Sequence, residues 1–172
     1  MKTSLVLTVI GPDKPGLVEL LSQTIAAHQG NWLESGMSRL AGKFAGILIT
    51  EVPEGQVEAL TAELTALQEK GLKVVAERTS EPEVVSDQQR FTLELVGHDK
   101  PGIVREISQA LAERKVNVER LNTELVSGSM SAELLFKADA DLSVATNADL
   151  DELQGALEDI ASDLMVDIIL KN

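Results

Sequence analysis

Apolar and polar positions along this chain alternate with two different periods, and the switch between them runs in the same order twice. Ser4 to Ile10 and Phe91 to Val96 alternate with a period of two and carry β-branched residues, the pattern of half-buried strands. Leu17, Leu21 and Ile25 then recur at helical spacing, as do Ile103, Ile107 and Leu111. Asn31 to Ala41 and Lys43 to Val52 read as two strands hinged at Gly42, and Asn117 to Ser127 with Ser129 to Ala138 repeat that hairpin about Gly128. A second helical stripe follows in each half: Val57, Leu60, Leu64 and Leu67, then Leu150, Leu153, Leu157, Ile160 and Leu164. Short strands, Leu72 to Glu77 and Met165 to Leu170, close the halves. The predicted order is βαββαβ, twice. It implies an α+β fold of two ferredoxin-like domains, each an antiparallel sheet with both helices on one face.

The halves are also copies in residue identity. Gly-Pro-Asp-Lys-Pro-Gly at 11–16 returns as Gly-His-Asp-Lys-Pro-Gly at 97–102, and at the same offset Leu7 meets Leu93, Ser22-Gln23 meets Ser108-Gln109 and Asn31 meets Asn117. The pattern lapses over 81–89, which holds three acids, a Pro and no periodic face, so the expected domains are 1–80 and 90–172 with 81–89 as linker. Units of this size bury only about 60 % of their unfolded surface. They are expected to pack on each other or on a second chain, as in a homodimer.

Composition narrows the function. The 172 residues carry a net charge of −13 and a sequence pI near 4.5, against a duplex-binding surface, whose affinity comes from Lys and Arg releasing counterions. Four aromatic residues are too few for RNA-recognition modules of the same strand order, which stack bases on aromatic side chains. No Cys is present, which removes disulfides, thiolate zinc sites and Cys nucleophiles. The apolar stretch Leu5–Ile10 stops at Gly11-Pro12-Asp13, too short for an export signal, and no stretch approaches the roughly 20 residues of a membrane span. A cytoplasmic location without membrane contact is expected. Acid concentrates in the second half: Asp139, Asp141, Asp149, Asp151, Glu152, Glu158, Asp159 and Asp163 are expected on its last helix and the approach to it. They read as a solvated face, or alternatively as a docking surface for a basic partner.

Catalytic constellations are missing from the sequence. His98 replaces Pro12 in the repeated loop, so the copies share no His chemistry, and no nucleophile elbow, P-loop, dinucleotide fingerprint or calcium loop occurs. The expectation is a non-enzymatic protein without catalytic residue, metal or cofactor. The repeated loop is the candidate site. A helix start there offers unpaired N–H groups and the positive end of the macrodipole to a carboxylate. Pro15 and Pro101 are expected in the first helical turn, and Gly16 and Gly102 would let a ligand approach the backbone. Asp13 and Asp99 would accept from an ammonium group, while Asn31 and Asn117, 18 residues on in each copy, offer amides. Together these groups match a zwitterion. An equally open reading makes each Asp a helix cap and each Asn a turn residue.

The βαββαβ order, the Asp-x-Pro-Gly loop and the Asn 18 residues later resemble the ACT domain, a small regulatory module that binds amino acids. The resemblance covers nearly the whole chain twice and is to tandem-ACT proteins of the glycine cleavage system transcriptional repressor type. It implies an amino-acid sensor, with glycine the candidate ligand, that regulates transcription through a DNA-binding partner rather than by touching nucleic acid. Two alternatives stand beside it: a ligand-free assembly module, and a regulatory subunit of an amino-acid metabolic enzyme. In such domains the ligand lies at an interface between two domains. The implied contacts are Gly11, Asp13, Pro15, Gly16, Leu17 and Asn31, with Gly97, Asp99, Pro101, Gly102, Ile103 and Asn117. Many members carry Gly two residues before the Asn, where this chain has Gln29 and Lys115.

Overall fold

The computed structural model describes residues 1–79, 87–128 and 132–172. The chain forms two compact units, Met1–Glu83 and Val84–Asn172. In the first, β1 (Lys2–Pro12), α1 (Leu17–Ala27), β2 (Asn31–Leu40), β3 (Lys43–Pro53), α2 (Val57–Ala66) and β4 (Lys73–Arg78) follow in order. The second repeats it with β5 (Gln88–His98), α3 (Ile103–Glu113), β6 (Asn117–Ser127), β7 (Leu134–Ala145), α4 (Leu150–Leu164) and β8 (Val166–Lys171). Both sheets are antiparallel, ordered β2-β3-β1-β4 and β6-β7-β5-β8. This is the ferredoxin-like α+β fold, in duplicate.

Alternation within the strands places the core. Leu5, Leu7 and Val9 of β1 and Leu48 and Val52 of β3 are buried beneath Leu21, Ile25, Leu60 and Leu64 of the helices. In the second unit Leu93, Leu95, Ala140 and Leu142 lie under Ile107, Leu111, Leu153 and Leu157. Among the described residues the opposite face of each sheet carries no helix of its own unit, so odd residues of β3 and even residues of β1 face away from the core.

Several expectations are corrected. Of the expected linker 81–89, residues 81–86 lie outside the described residues, and Gln88 and Gln89 already pair with Ala145 and Val144 of β7. The strand expected from Ser129 to Ala138 runs from Leu134 to Ala145, with 129–131 outside the described residues. Asp139 and Asp141 therefore belong to a strand, not to the approach of α4. Arg120 on the neighbouring strand holds both, at 2.7 and 2.8 Å, and its hydrogen bonds keep the Asp141 carboxyl below its ordinary pKa. In the first unit Glu54 ties three segments together. It accepts from Thr3 and from Arg78 at 2.8 Å, and these bonds hold its pKa at about 2.

Candidate functional site

Each repeated loop leaves an inner strand of its sheet, β1 or β5, and enters the first helix of its unit. The prolines do not sit in that helix. Gly16 and Gly102 intervene with φ of 92° and 94°, the left-handed geometry of the third residue in a type II turn, which favours Pro just before it. Pro15 and Pro101 therefore shape a turn ahead of the helix. The space beside Gly16 and Gly102 is open, with no atom within 4 Å of where a Cβ would stand, so backbone conformation alone demands glycine there. Gly11 and Gly97 differ. A Cβ at Gly11 would lie 2.9 Å from the Gly71 carbonyl oxygen, and one at Gly97 2.3 Å from Val166 Cγ1. Those two glycines let neighbouring chain pass close by.

Neither Asp caps its helix. Gly16 and Gly102 occupy the N-cap positions, and among the described residues no side chain bonds the first amides of α1 or α3. The contrast within the chain is instructive: Asp149 accepts from the amides of Asp151 and Glu152 and caps α4. The N-termini of α1, at Leu17, and α3, at Ile103, thus keep donors and dipole available to an anion. In the first unit Lys14 and Lys70 bring positive charge, and Glu19 negative charge, to an open depression lined also by Pro15, Gly16 and Leu17. The backbone amide of Asp13 donates to Gly42 O at 2.9 Å and that of Asp99 to Leu134 O at 3.1 Å, which pins each loop to the adjacent hairpin. The carboxylates then diverge. Asp13 Oδ2 accepts from Arg39 Nη1 at 3.3 Å, whereas the exposed Asp99 has no side-chain partner among the described residues. Leu125 stands where the repeat would put a second Arg.

Asn31 and Asn117 open β2 and β6 and are exposed. The residues two before them explain a departure from the family pattern. Gln29 and Lys115 have φ of 61° and 57°, and each is the left-handed residue of a Schellman cap. Gln29 N–H donates to Ala26 O and Gly30 N–H to Ile25 O; Lys115 and Val116 repeat this with Ala112 and Leu111. A Cβ at Gly30 would meet Ile25 Cγ2 at 2.6 Å, while Leu111 leaves room for a buried Val116.

Strand register separates the expected pair of Asp and Asn within each unit. Asn31 is opposite Glu51, which is opposite Ser4. Asp13 bonds Gly42, at the other end of β3. Eight residues of strand, about 27 Å, lie between. The same holds for Asn117, opposite Ser143, and Asp99, bonded to Leu134. One unit alone does not assemble the zwitterion site that the spacing suggested. Among the described residues no cluster of acidic or His side chains has metal-binding geometry, and no helix is long and apolar enough to cross a membrane.

Comparison with known proteins fits this architecture. Residues 3–77 match one ACT domain model and residues 86–162 another. No curated protein sequence matches the chain. Among solved structures, an unknown protein from Galdieria sulphuraria is 26% identical with a TM-score of 0.86, over 99% of this chain and 98% of that one. A structure provisionally named a glycine cleavage system transcriptional repressor is 19% identical with a TM-score of 0.70, over 100% of this chain and 99% of that one. With two ACT domains in tandem spanning most of its length, the chain belongs to the ACT domain family.

Proposed function

We propose that this protein is a non-enzymatic, cytoplasmic amino-acid sensor that regulates transcription through a DNA-binding partner, with glycine the first candidate ligand. The observation that carries the reading is the pair of uncapped helix N-termini, each reached through an Asp-Lys-Pro-Gly turn, in two ACT domains. A free amino acid presents a carboxylate suited to those amides and an ammonium suited to Asp13 or Asp99. Because Asn31 and Asn117 lie a sheet's length from the loop of their own unit, the ligand takes its amide contact from a second ACT domain. The two-domain likeness to a structure carrying a repressor's name supports a regulatory role. An acidic chain fits action through a partner better than contact with DNA. Ligand would then shift partner affinity by binding one domain arrangement better than another.

Titration with a panel of amino acids, glycine first, followed by calorimetry and by fluorescence of Trp32, tests the reading. Saturable binding that weakens in Asn31→Ala or Asn117→Ala is expected. The Arg39–Asp13 pair makes the first loop the poorer ammonium acceptor, so Asp99→Ala should lose more affinity than Asp13→Ala. That same ion pair favours one rival, a ligand-free assembly module. Absence of heat and of thermal stabilisation across the panel at millimolar ligand would establish the rival instead.

A further inference from the structure

The two units share a fold but not the helix-free face of their sheets. Across that face of the first unit the rows read Pro53-Lys2, Asn31-Glu51-Ser4, Glu34-Ile49-Val6-Glu77, Gly36-Ile47-Thr8-Val75, Ser38-Ala45-Ile10-Lys73 and Leu40-Lys43-Pro12. The middle is apolar and open to solvent: Ile47 is 60% exposed, Val75 45% and Ile10 44%. At the matching places of the second unit stand Arg120, Asp141 and Thr92, then Asn122, Asp139 and Glu94, while Ile169, 50% exposed, matches Val75 and Val96 matches Ile10. There the charges satisfy one another, Arg120 with both aspartates and Glu94 with Lys171 at 3.1 Å. The fold therefore tolerates polar residues where the first unit has Val6, Ile47 and Ile49, and those apolar side chains answer to something else. Gly36 agrees. It lies inside an edge strand with nothing within 4 Å of its missing Cβ, so no packing within the described chain requires glycine there, and it leaves the backbone bare beside Ile47.

We infer that the helix-free sheet face of the first unit is a dimerisation surface, and that its occupant is the same face of a second copy of this chain. Charge placement identifies the occupant. Glu51 and Glu77 lie towards one end of the face and Lys43 and Lys73 towards the other; Lys2 also stands at the acidic end, where it pairs with Glu51 at 3.5 Å. Glu77, Lys43 and Lys73 make no ion pair among the described residues. A two-fold axis along the Gly36-Ile47-Thr8-Val75 row stacks the two sheets with strands antiparallel. It lays Ile47 over Ile47 and Val75 over Val75, Glu77 over Lys73 of the other copy, and Glu51 over its Lys43. An isologous contact needs this self-complementarity, and sheets about 10 Å apart let long side chains meet at the rim. Four strands by eight residues cover about 500 Å² in plan. That is below the roughly 800 Å² per partner of tight complexes, so a reversible dimer in the micromolar range is expected.

Sedimentation velocity of the full chain from about 0.5 to 200 µM is the test, because this range brackets a micromolar equilibrium. A concentration-dependent monomer–dimer transition is expected. Ile47→Asp, which installs the residue type of position 139, should raise the dimer dissociation constant at least about tenfold, with circular dichroism checking the fold. Lys73→Glu places like charges opposite Glu77 and should do the same even if Ile47→Asp fails to fold. Lys73→Glu combined with Glu77→Lys restores opposite charges and should return the constant to within about threefold of the parent. A monomer at every concentration would overturn the inference. So would a dimer indifferent to Ile47→Asp and Lys73→Glu, or a charge swap that restores nothing.

Discussion

Replacing Gln29 or Lys115 by Gly should stabilise the unit that carries it. Both residues hold left-handed backbone, φ 61° and 57°, and both side chains are exposed. They contribute to their caps through backbone N–H groups alone, Gln29 to Ala26 and Lys115 to Ala112, each at 3.0 Å, and Gly retains those bonds. An L-residue in this region costs about 1–2 kcal/mol through the clash of Cβ with the following carbonyl. Gly removes that cost but brings greater freedom to the unfolded chain, which returns about 0.4–1 kcal/mol. The net gain is about 0.5–1 kcal/mol per site. For a domain of about 80 residues this raises Tm by about 2–8 °C. Urea and thermal unfolding followed by circular dichroism read the change, with Gln29→Ala as the control that keeps a Cβ and gains little. A Gly variant no more stable than its Ala control would refute the argument from backbone geometry.

Two further predictions concern single acids. Asp149→Ala should cost about 1 kcal/mol in urea denaturation because it removes a cap from two α4 amides. Asp99→Ala, which caps nothing, should stay within about 0.5 kcal/mol, and equal losses would contradict the cap assignment. The Glu54 carboxyl, held at about 2 by Arg78 and Thr3, has a folded pKa below its unfolded one near 4.3. Its stabilisation is therefore complete above pH ~4.3 and disappears as pH falls through ~2. The Tm difference between wild type and Glu54→Gln should be full at pH 6 and shrink steadily below pH ~4, with most of it gone at pH ~2. A difference at pH ~2 as large as at pH 6 would refute the linkage.

Much of this protein was legible before any tertiary contact was known. Leu17, Leu21 and Ile25 declare a helix, and Ser4 to Ile10 a strand, because local periodicity matches one covalent geometry and not the other. The duplication told that the order runs twice, and with it the α+β class followed. Tertiary structure decided what depends on which strands become neighbours. Gly11, Gly16, Gly97 and Gly102 look alike in the repeat, yet Gly11 and Gly97 answer to a chain passing close by, and Gly16 and Gly102 to positive φ in open space. Asp139 and Asp141 resemble a prelude to a helix until Arg120, 19 and 21 residues earlier, is brought beside them by pairing of β6 with β7. Asp13 and Asn31 are 18 residues apart in the chain but a sheet's length apart in space, since α1 carries the backbone back to the far end of β1. Spacing along a chain sets which residue types recur together. Register between strands sets which of them can touch the same ligand, and register follows from burying one face of every strand at once.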